Sequence, residues 1–258
     1  MSLYKTGRAN YLFDVAAQEV DGTTRILRFG SAEDIGASFT PVATAKVYRT
    51  PTSAVTLEIL SDNAADDVSG VGARSVRITG TDENWERQTD TVSLDGTTAV
   101  TVPGNWLRVC EMDVATAGTY GSFAATTQAG TITLRESGGG DTWCEIPIDG
   151  GFGIGSAEVG ICSAPAGERI FVYSHRISVT SSDTACVVLF VREGSDNTSA
   201  PFSPVKAFSV QHDVSGHLPV NNSVIGPFTG PCDIGFMARA TNTTADVDVT
   251  FEIIREVI

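Results

Sequence analysis

The feature that most constrains the fold of this chain is the strict alternation of apolar and polar residues. In the clearest example, Val247, Val249, Phe251 and Ile253 alternate with polar neighbours. Successive side chains of a β-strand point to opposite faces of a sheet, so this period of two predicts strands with one buried and one solvated face. The same alternation recurs in four further segments, at residues 55–59, 76–78, 132–134 and 234–238.

Turn-forming residues separate the strand segments, and helical periodicity is almost absent. The turn clusters lie at residues 62–63, 70–72, 95–96, 103–105, 196–197 and 221–222. Many short strands without intervening helices predict an all-β fold, an antiparallel β-sandwich or jelly-roll-like architecture.

The predicted domain boundary is the glycine-rich stretch Ser137–Asp141. Three consecutive glycines have no side chains to pack, which is typical of a flexible connection. We therefore expect a first β-sandwich domain at residues 45–136 and a second sandwich or jelly roll at 142–258. Residues 1–44 show little sustained alternation, and they indicate either an extended N-terminal arm ordered against a partner subunit or one additional edge strand.

Charge excludes several classes of partner. The 258 residues include 17 Lys and Arg against 31 Asp and Glu, a net charge of −14. A chain this acidic repels the phosphate backbone of nucleic acids and anionic membrane surfaces. Apolar runs such as residues 186–191 are too short to span a bilayer, and residues 1–12 lack the apolar core of a secretory signal. We expect synthesis in a cytoplasm and no nucleic acid or membrane partner.

The cysteines indicate neither a disulfide framework nor a zinc site. They are odd in number, widely scattered, and form no Cys-x-x-Cys pair. Several lie in apolar strand patterns, where a free cysteine acts as a small buried hydrophobe. The five are Cys110, Cys144, Cys162, Cys186 and Cys232.

Two short stretches superficially suggest chemistry. Residues 150–160 are glycine-rich, but Ser156 stands where the third glycine of a dinucleotide-binding loop belongs, and no βαβ context is present. His212, Asp213 and His217 could bind a metal or relay a proton, but Ser215 and Gly216 between them favour a polar loop.

Carboxylate clusters are the remaining candidate for a metal site. Asp62, Asp66 and Asp67 form one cluster, and residues 82–86 hold three more acids. Neither has the ligand spacing of an EF-hand loop, so solvated turns are favoured over a weak calcium site. No Gly-x-Ser-x-Gly nucleophile motif is present. We therefore predict no catalytic residues, no cofactor and no metal.

Aromatic residues offer a different kind of site. Trp85, Trp106, Trp143 and Tyr120 could line a glycan-binding groove if they were exposed. Packing in a core or an interface is the favoured alternative.

The stretch Thr91–Val102 predicts a β-hairpin that turns at Asp95-Gly96. A two-residue loop would place Val92 and Leu94 on the face opposite Val100 and Val102. A loop of three or five residues brings all four to one face, so we predict an odd-length loop with Gly96 at positive φ.

Residues 55–118 resemble a repeated pattern in virion proteins of tailed bacteriophages, many of them marine. The pattern joins an "S..A.D...G.GAR.V.I.G.D" strand pair to an "E.V.LNGTTAV" hairpin and then to "FLR". The matching residues are Ser61, Ala64, Asp66, Gly70–Arg74, Val76, Ile78, Gly80, Asp82, Val92, Leu94, Gly96–Val100 and Leu107-Arg108. Asp95 replaces the usual Asn.

The C-terminal part is similar to the same family at residues 202–208, 233–240 and 249–254. The resemblance covers residues 45–258, whereas the N-terminus departs from the family pattern. It implies a non-enzymatic structural protein of the virion. Within that class, we expect a capsid decoration protein on the head surface, a homotrimer that binds the major capsid protein through its arm and subunit contacts. The alternatives are a tail, neck or fibre component with a receptor- or glycan-binding role, and an enzyme such as a polysaccharide depolymerase.

Overall fold

The structure is a computed structural model, and it describes residues 11–118, 127–149, 152–180, 182–220 and 224–258. It confirms an all-β fold of antiparallel sheets, with one short helix, α1 (Tyr11–Ala16), in the described residues. No helix in these ranges has the length and apolar character needed to cross a membrane. The strands are β1 (Thr23–Ile35), β2 (Thr40–Pro41), β3 (Leu57–Ser61), β4 (Ala73–Thr81), β5 (Arg87–Ser93), β6 (Val100–Thr101), β7 (Arg108–Ala117), β8 (Ile132–Glu136), β9 (Thr142–Ile146), β10 (Ile148–Asp149), β11 (Phe152–Gly153), β12 (Ile161–Ala164), β13 (Glu168–Val179), β14 (Ala185–Glu193), β15 (Lys206–Val214), β16 (Gly216–Val220), β17 (Ile225–Thr229), β18 (Cys232–Ala240) and β19 (Ala245–Val257).

Four sheets form two sandwiches. Sheet I has the order β1-β19-β13-β16, with β17 also on β13, and sheet II has the order β12-β18-β14-β15, with β2 also on β18. These two sheets enclose the C-terminal core, which includes Phe236 and Phe251. Sheet III (β6-β3-β8-β9) and sheet IV (β5-β4-β7) enclose the N-terminal core around Ile59 and Ile78.

Strand β14 contributes to both cores. Val187, Leu189 and Val191 belong to the C-terminal core, whereas the alternate residues Cys186, Val188 and Phe190 belong to the N-terminal cluster. A strand buried on both faces needs a continuous apolar run rather than an alternating one. This double burial explains the unbroken apolar sequence at residues 186–191.

The N-terminal segment differs from the extended arm considered for residues 1–44. Strand β1 pairs with β19 from Thr23, opposite Glu256, to Ile35, opposite Ala245, and forms the edge of sheet I. Residues 23–35 therefore follow the edge-strand alternative, while residues 1–10 lie outside the described part of the chain.

The inward face of β1 explains why its sequence does not alternate clearly. It carries Arg28, which reaches Glu111, and Gly30, where a Cβ atom would lie 2.4 Å from the backbone nitrogen of Gly160. A charged residue and a glycine thus occupy positions where the pattern requires large apolar side chains.

The predicted boundary at Ser137–Asp141 is wrong, because this segment is the loop of the β8–β9 hairpin inside sheet III. Gly138 and Gly139 adopt φ values of 85° and 77°. Their N–H groups bind the Glu58 carboxylate, and these bonds, together with Arg135, lower the pKa of Glu58. The glycines therefore serve a tight turn rather than a linker.

The hairpin predicted at Thr91–Val102 is also wrong. Strand β5 pairs with β4 in sheet IV, whereas β6 pairs with β3 in sheet III, so the segment crosses between sheets. The positive φ of Gly96 is confirmed at 58°. Val92, Leu94 and Val102 nevertheless pack in the same core. This is possible because sheets III and IV face each other across that core.

Replacing Ala32 by aspartate tests the position of β1. Ala32 is fully buried in the C-terminal core, and burial of an unpaired carboxylate there should lower the free energy of unfolding by about 3 kcal/mol or more. Phe29→Asp, on the exposed face of the same strand, should change it by about 1 kcal/mol or less. Urea denaturation measures both. A neutral Ala32→Asp variant would mean that this segment does not pack in the sandwich.

Candidate functional site

The histidines do not form one site. His212 and Asp213 lie on β15 in sheet II, and His217 lies on β16 in sheet I. Only Ser215 separates the two strands, so the polar loop expected for this stretch is wrong. The contact of His212 is with Cys186, whose Sγ atom lies 3.5 Å from the imidazole Nδ1. His175 is buried in the C-terminal sandwich, and this burial lowers its pKa.

The glycine-rich stretch at residues 150–160 leads from one strand to the next. Gly150 and Gly151 lie outside the described residues, β11 ends at Gly153, and β12 follows. Gly160 permits close packing, since a Cβ atom there would lie 2.7 Å from the carbonyl oxygen of Val42. The described residues of this stretch contain no helix, so they offer no helix N-terminus for a phosphate group. The chain instead continues into β12 of sheet II.

Asp66 has a structural role in the N-terminal sandwich. Its carboxylate is fully buried and accepts four hydrogen bonds. The donors are the Ser61 hydroxyl at 2.6 Å and the backbone N–H groups of Ala73, Ala129 and Gly130 at 2.7–2.9 Å. These bonds tie the end of β3, the start of β4 and the segment before β8 to one side chain.

The signature residues of the first sandwich converge on this carboxylate. A Cβ atom at Gly72 would lie 2.1 Å from Asp66 Oδ1, so only glycine fits beside it. The N–H of Gly96 donates to the Asp66 carbonyl oxygen at 2.8 Å. Ser61, Asp66, Gly72, Ala73 and Gly96 are therefore parts of one folding unit.

The other acids of the two carboxylate clusters stabilise turns. Asp62 accepts a bond from the Thr131 N–H, and Asp67 accepts bonds from the N–H and hydroxyl of Ser69. Asp82 binds the N–H groups at residues 84 and 86. Among the described residues, no three His, Cys, Asp or Glu side chains lie close enough together to hold a metal ion.

The three tryptophans are buried, and of these Trp85 borders a surface pocket beside Glu83 and Ser195. Trp106 is fully buried and donates its indole N–H to the Pro103 carbonyl, while Trp143 donates to Glu136. The ring of Trp85 packs against the guanidinium group of Arg108. Tyr120 falls outside the described residues.

All five cysteines are buried and unpaired, which confirms that they act as small buried hydrophobes. Burial raises the pKa of Cys144 and of Cys232 to about 12. Their thiols therefore stay protonated at neutral pH and are poor nucleophiles.

The most highly organised polar cluster lies between the two sandwiches. Arg108, at the start of β7, makes a two-pronged ion pair with Asp233 on β18, with nitrogen–oxygen distances of 3.0 and 3.1 Å. The two side chains are 1% and 2% exposed. The Asp233 Oδ1 atom also accepts bonds from the hydroxyls of Tyr48 at 2.9 Å and Ser163 at 2.6 Å.

Aromatic rings enclose this ion pair. The Trp85 ring centroid lies 4.7 Å from the Arg108 guanidinium carbon, close enough for a cation–π interaction. Burial, followed by the charge of Asp233, raises the pKa of Tyr48 well above its ordinary value, so its hydroxyl remains a donor. Both carboxylate oxygens of Asp233 therefore have hydrogen-bond donors within the cluster.

Two further ion pairs join the sandwiches at their periphery. Arg28 of β1 contacts Glu111 of β7 at 3.0 Å. Arg87 of β5 contacts Glu168 of β13 with nitrogen–oxygen distances of 2.8 and 3.3 Å. Sequence analysis missed all three pairs, because their partners are 81 to 125 positions apart. A signal did exist for the central pair, since Arg108 and Asp233 both lie in segments on which the expected resemblance was based, Leu107-Arg108 and residues 233–240.

Comparisons with known proteins found no matching family model and no matching curated protein. Among solved structures, the chain aligns with that of the infectious bursal disease virus Gt strain at 11% identity, 92% coverage of this chain, 78% of that chain and a TM-score of 0.23. The VP2 subviral particle of the same virus gives 11% identity, coverages of 93% and 77%, and a TM-score of 0.21.

The Arthrobacter globiformis T6 isomalto-dextranase complexed with panose gives 15% identity and a TM-score of 0.22, with 91% of this chain but 35% of that chain covered. TM-scores this low do not establish a common fold.

Exchanging Asp66 for asparagine tests the role of its carboxylate. In the variant, an NH₂ group would replace one carboxylate oxygen and would face N–H or O–H donors instead of accepting their hydrogen bonds. We therefore expect the free energy of unfolding to fall by about 2–4 kcal/mol. Asp67→Asn keeps the acceptor for Ser69 and should leave the free energy of unfolding nearly unchanged, because surface substitutions of this kind have small effects. Chemical denaturation followed by circular dichroism measures both. Equal effects would contradict a special role for Asp66.

Exchanging Arg108 for methionine tests the central ion pair. The change leaves the Asp233 carboxylate buried without a counter-charge, so the free energy of unfolding should fall by about 3–5 kcal/mol. Arg77→Met breaks an exposed pair with Asp113 on the neighbouring strand and should cost at most about 1 kcal/mol. Equilibrium unfolding of both variants gives the comparison, and a loss at Arg108 as small as that at Arg77 would refute the role assigned to this pair.

Proposed function

We propose that this chain is a non-enzymatic structural protein of a tailed-phage virion, which decorates the head shell and stabilises it by binding the major capsid protein. The protein would act as a homotrimer on the capsid surface after synthesis in the host cytoplasm. The resemblance of residues 45–258 to phage virion proteins is the starting point for this proposal.

The observation that carries the proposal is the convergence of the signature residues on Asp66. Ser61, Gly72, Ala73 and Gly96 all contact its carboxyl or carbonyl oxygens or require its position. A signature that marks an enzyme is expected to surround an open cleft with reactive groups. Here it surrounds a buried, fully bonded carboxylate, which supports a role in building the protein.

The junction between the sandwiches supports a structural role. Three ion pairs connect β1, β5 and β7 with strands of the other sandwich, and the central pair is buried. Buried, hydrogen-bonded charges disfavour alternative packings, because any displacement leaves a charge without a partner. A protein that stays bound to a virion shell would benefit from such rigidity.

Pairing of β1 within its own sheet changes one part of the expected attachment. Residues 23–35 are hydrogen-bonded to β19, so they do not cross to the shell as a free arm. We therefore assign docking to surfaces of the folded sandwiches.

Counting copies in purified particles tests this function. Quantitative mass spectrometry, with the major shell protein as the internal standard, should find on the order of hundreds of copies per particle, as icosahedral symmetry requires of a shell component. Electron cryomicroscopy of the same particles should place the density on the head. A few tens of copies or fewer, or density on the tail, would overturn the decoration role in favour of a tail, neck or fibre component.

Incubating the purified chain with host surface polysaccharide tests the non-enzymatic part of the proposal. We expect no release of reducing ends above that of a heat-denatured sample. Sustained release would instead establish a depolymerase.

A further inference from the structure

An apolar groove runs across the outer face of sheet II. Val188 and Phe190 of β14, which belong to the N-terminal cluster, form its floor where that cluster reaches the surface, and its walls include Phe39, Val205 and Val210. These three wall residues are 46%, 53% and 41% exposed, and the groove encloses about 500 Å³. Exposed apolar surface of this density marks a contact site on a soluble protein more often than an ordinary surface.

The charge around the groove is opposite to that of the molecule. None of the ten lining residues is a carboxylate, although the chain has 31 acidic and 17 basic residues. Arg239 and His212 line the groove, and exposed Lys206 begins the strand beside it. The groove is thus apolar with a basic rim.

The groove also adjoins an unpaired sheet edge. Strand β15 is the edge of sheet II, and its only strand partner in the described chain is β14. None of its backbone groups bonds to any other described segment. Unprotected edges of this kind favour association with another chain.

A second exposed surface, which we call the cleft, has the complementary character. It encloses about 630 Å³ beside β1 and contains Phe29, which is 42% exposed. Leu27, two residues earlier on the same face of β1, is 63% exposed. The acidic residues that line the cleft are Glu33, Asp34, Glu158, Asp246 and Asp248, and Lys46 is the one basic residue among its described lining.

The groove lies on the outer face of sheet II, whereas the cleft lies on the outer face of β1 in sheet I, and residues 35–38 connect Asp34 of the cleft with Phe39 of the groove. The two sheets pack face to face around the C-terminal core, so their outer faces point in opposite directions. The two surfaces therefore cannot cover each other within one chain.

We propose that the groove of one copy receives the cleft face of a second copy, so that the chain assembles head to tail. The apolar side chains around Phe29 would cover the groove, and its basic rim would face the acidic residues of the cleft. Groove-to-groove pairing across a twofold axis is disfavoured, because it would bring the Arg239 and Lys206 side chains of both copies together.

Head-to-tail contacts use two different patches, so they form a ring when the rotation between copies closes. The inference rests on the proposed function only for the size of this ring, which we take to be three. The contact itself follows from the two surfaces.

Sedimentation velocity of the purified chain tests the contact. The wild type should associate into one closed species as concentration rises. Val210→Asp in the groove and Phe29→Asp in the cleft should each yield monomers, because each removes one of the two patches. Val68→Asp, which places the same charge at a 59% exposed residue of the N-terminal sandwich, should associate like the wild type.

Mixing the two disabled variants provides the decisive result. Each retains one intact patch, so a 1:1 mixture should form heterodimers that do not grow further. The formation of these heterodimers also shows that both variants are folded. A monomeric wild type, wild-type association by either disabled variant alone, or a mixture that stays monomeric would overturn the proposal. The assay contains no virus particles, so failure here leaves the copy-number test of the proposed function unaffected.

Discussion

The buried ion pair between Arg108 and Asp233 is the interaction on which the arrangement of the two sandwiches depends. Removing two charges from water costs several kcal/mol each, and only well-placed partners offset that cost. Here the guanidinium meets both carboxylate oxygens and lies over Trp85, while Tyr48 and Ser163 donate to the same carboxylate. Because such contacts tolerate little displacement, the pair fixes how β7 lies against β18.

The surrounding structure reinforces the same junction. Strand β14 has one face in each core, so the sandwiches share a wall rather than touching at their surfaces. The pairs from Arg28 to Glu111 and from Arg87 to Glu168 fix the periphery. A chain built in this way resists relative movement of its two sandwiches.

The sequence predicted the fold class well, because alternation is a local property. Residues 247–253 alternate strictly and form β19 with one face in the core, as expected. Prediction failed where the identity of a residue is determined by a contact with a residue far away in the sequence. Arg28 and Gly30 obscure β1, since one reaches Glu111 and the other makes room for the backbone at Gly160. The glycines at residues 138–140 looked like a linker, yet they serve a hairpin.

The organisation of the candidate sites was less predictable for the same reason. Asp66 stood among other acids in the sequence, and nothing local distinguishes it from Asp67. Its burial follows from the Ala129 and Gly130 N–H groups, 63 and 64 positions away. The resemblance to phage proteins pointed to these residues without giving the reason. In the structure, Ser61, Gly72, Ala73 and Gly96 contact Asp66 or leave room for it, whereas other residues of the pattern, such as Val76 and Ile78, pack in the core.

Differential scanning calorimetry of the full chain tests most directly whether the two sandwiches form one unit. If the shared wall and the buried ion pair couple them, heating should give a single transition whose calorimetric and van 't Hoff enthalpies agree, as for a two-state protein. Two resolved transitions, or a van 't Hoff enthalpy near half the calorimetric value, would show that the sandwiches unfold independently and would contradict this account.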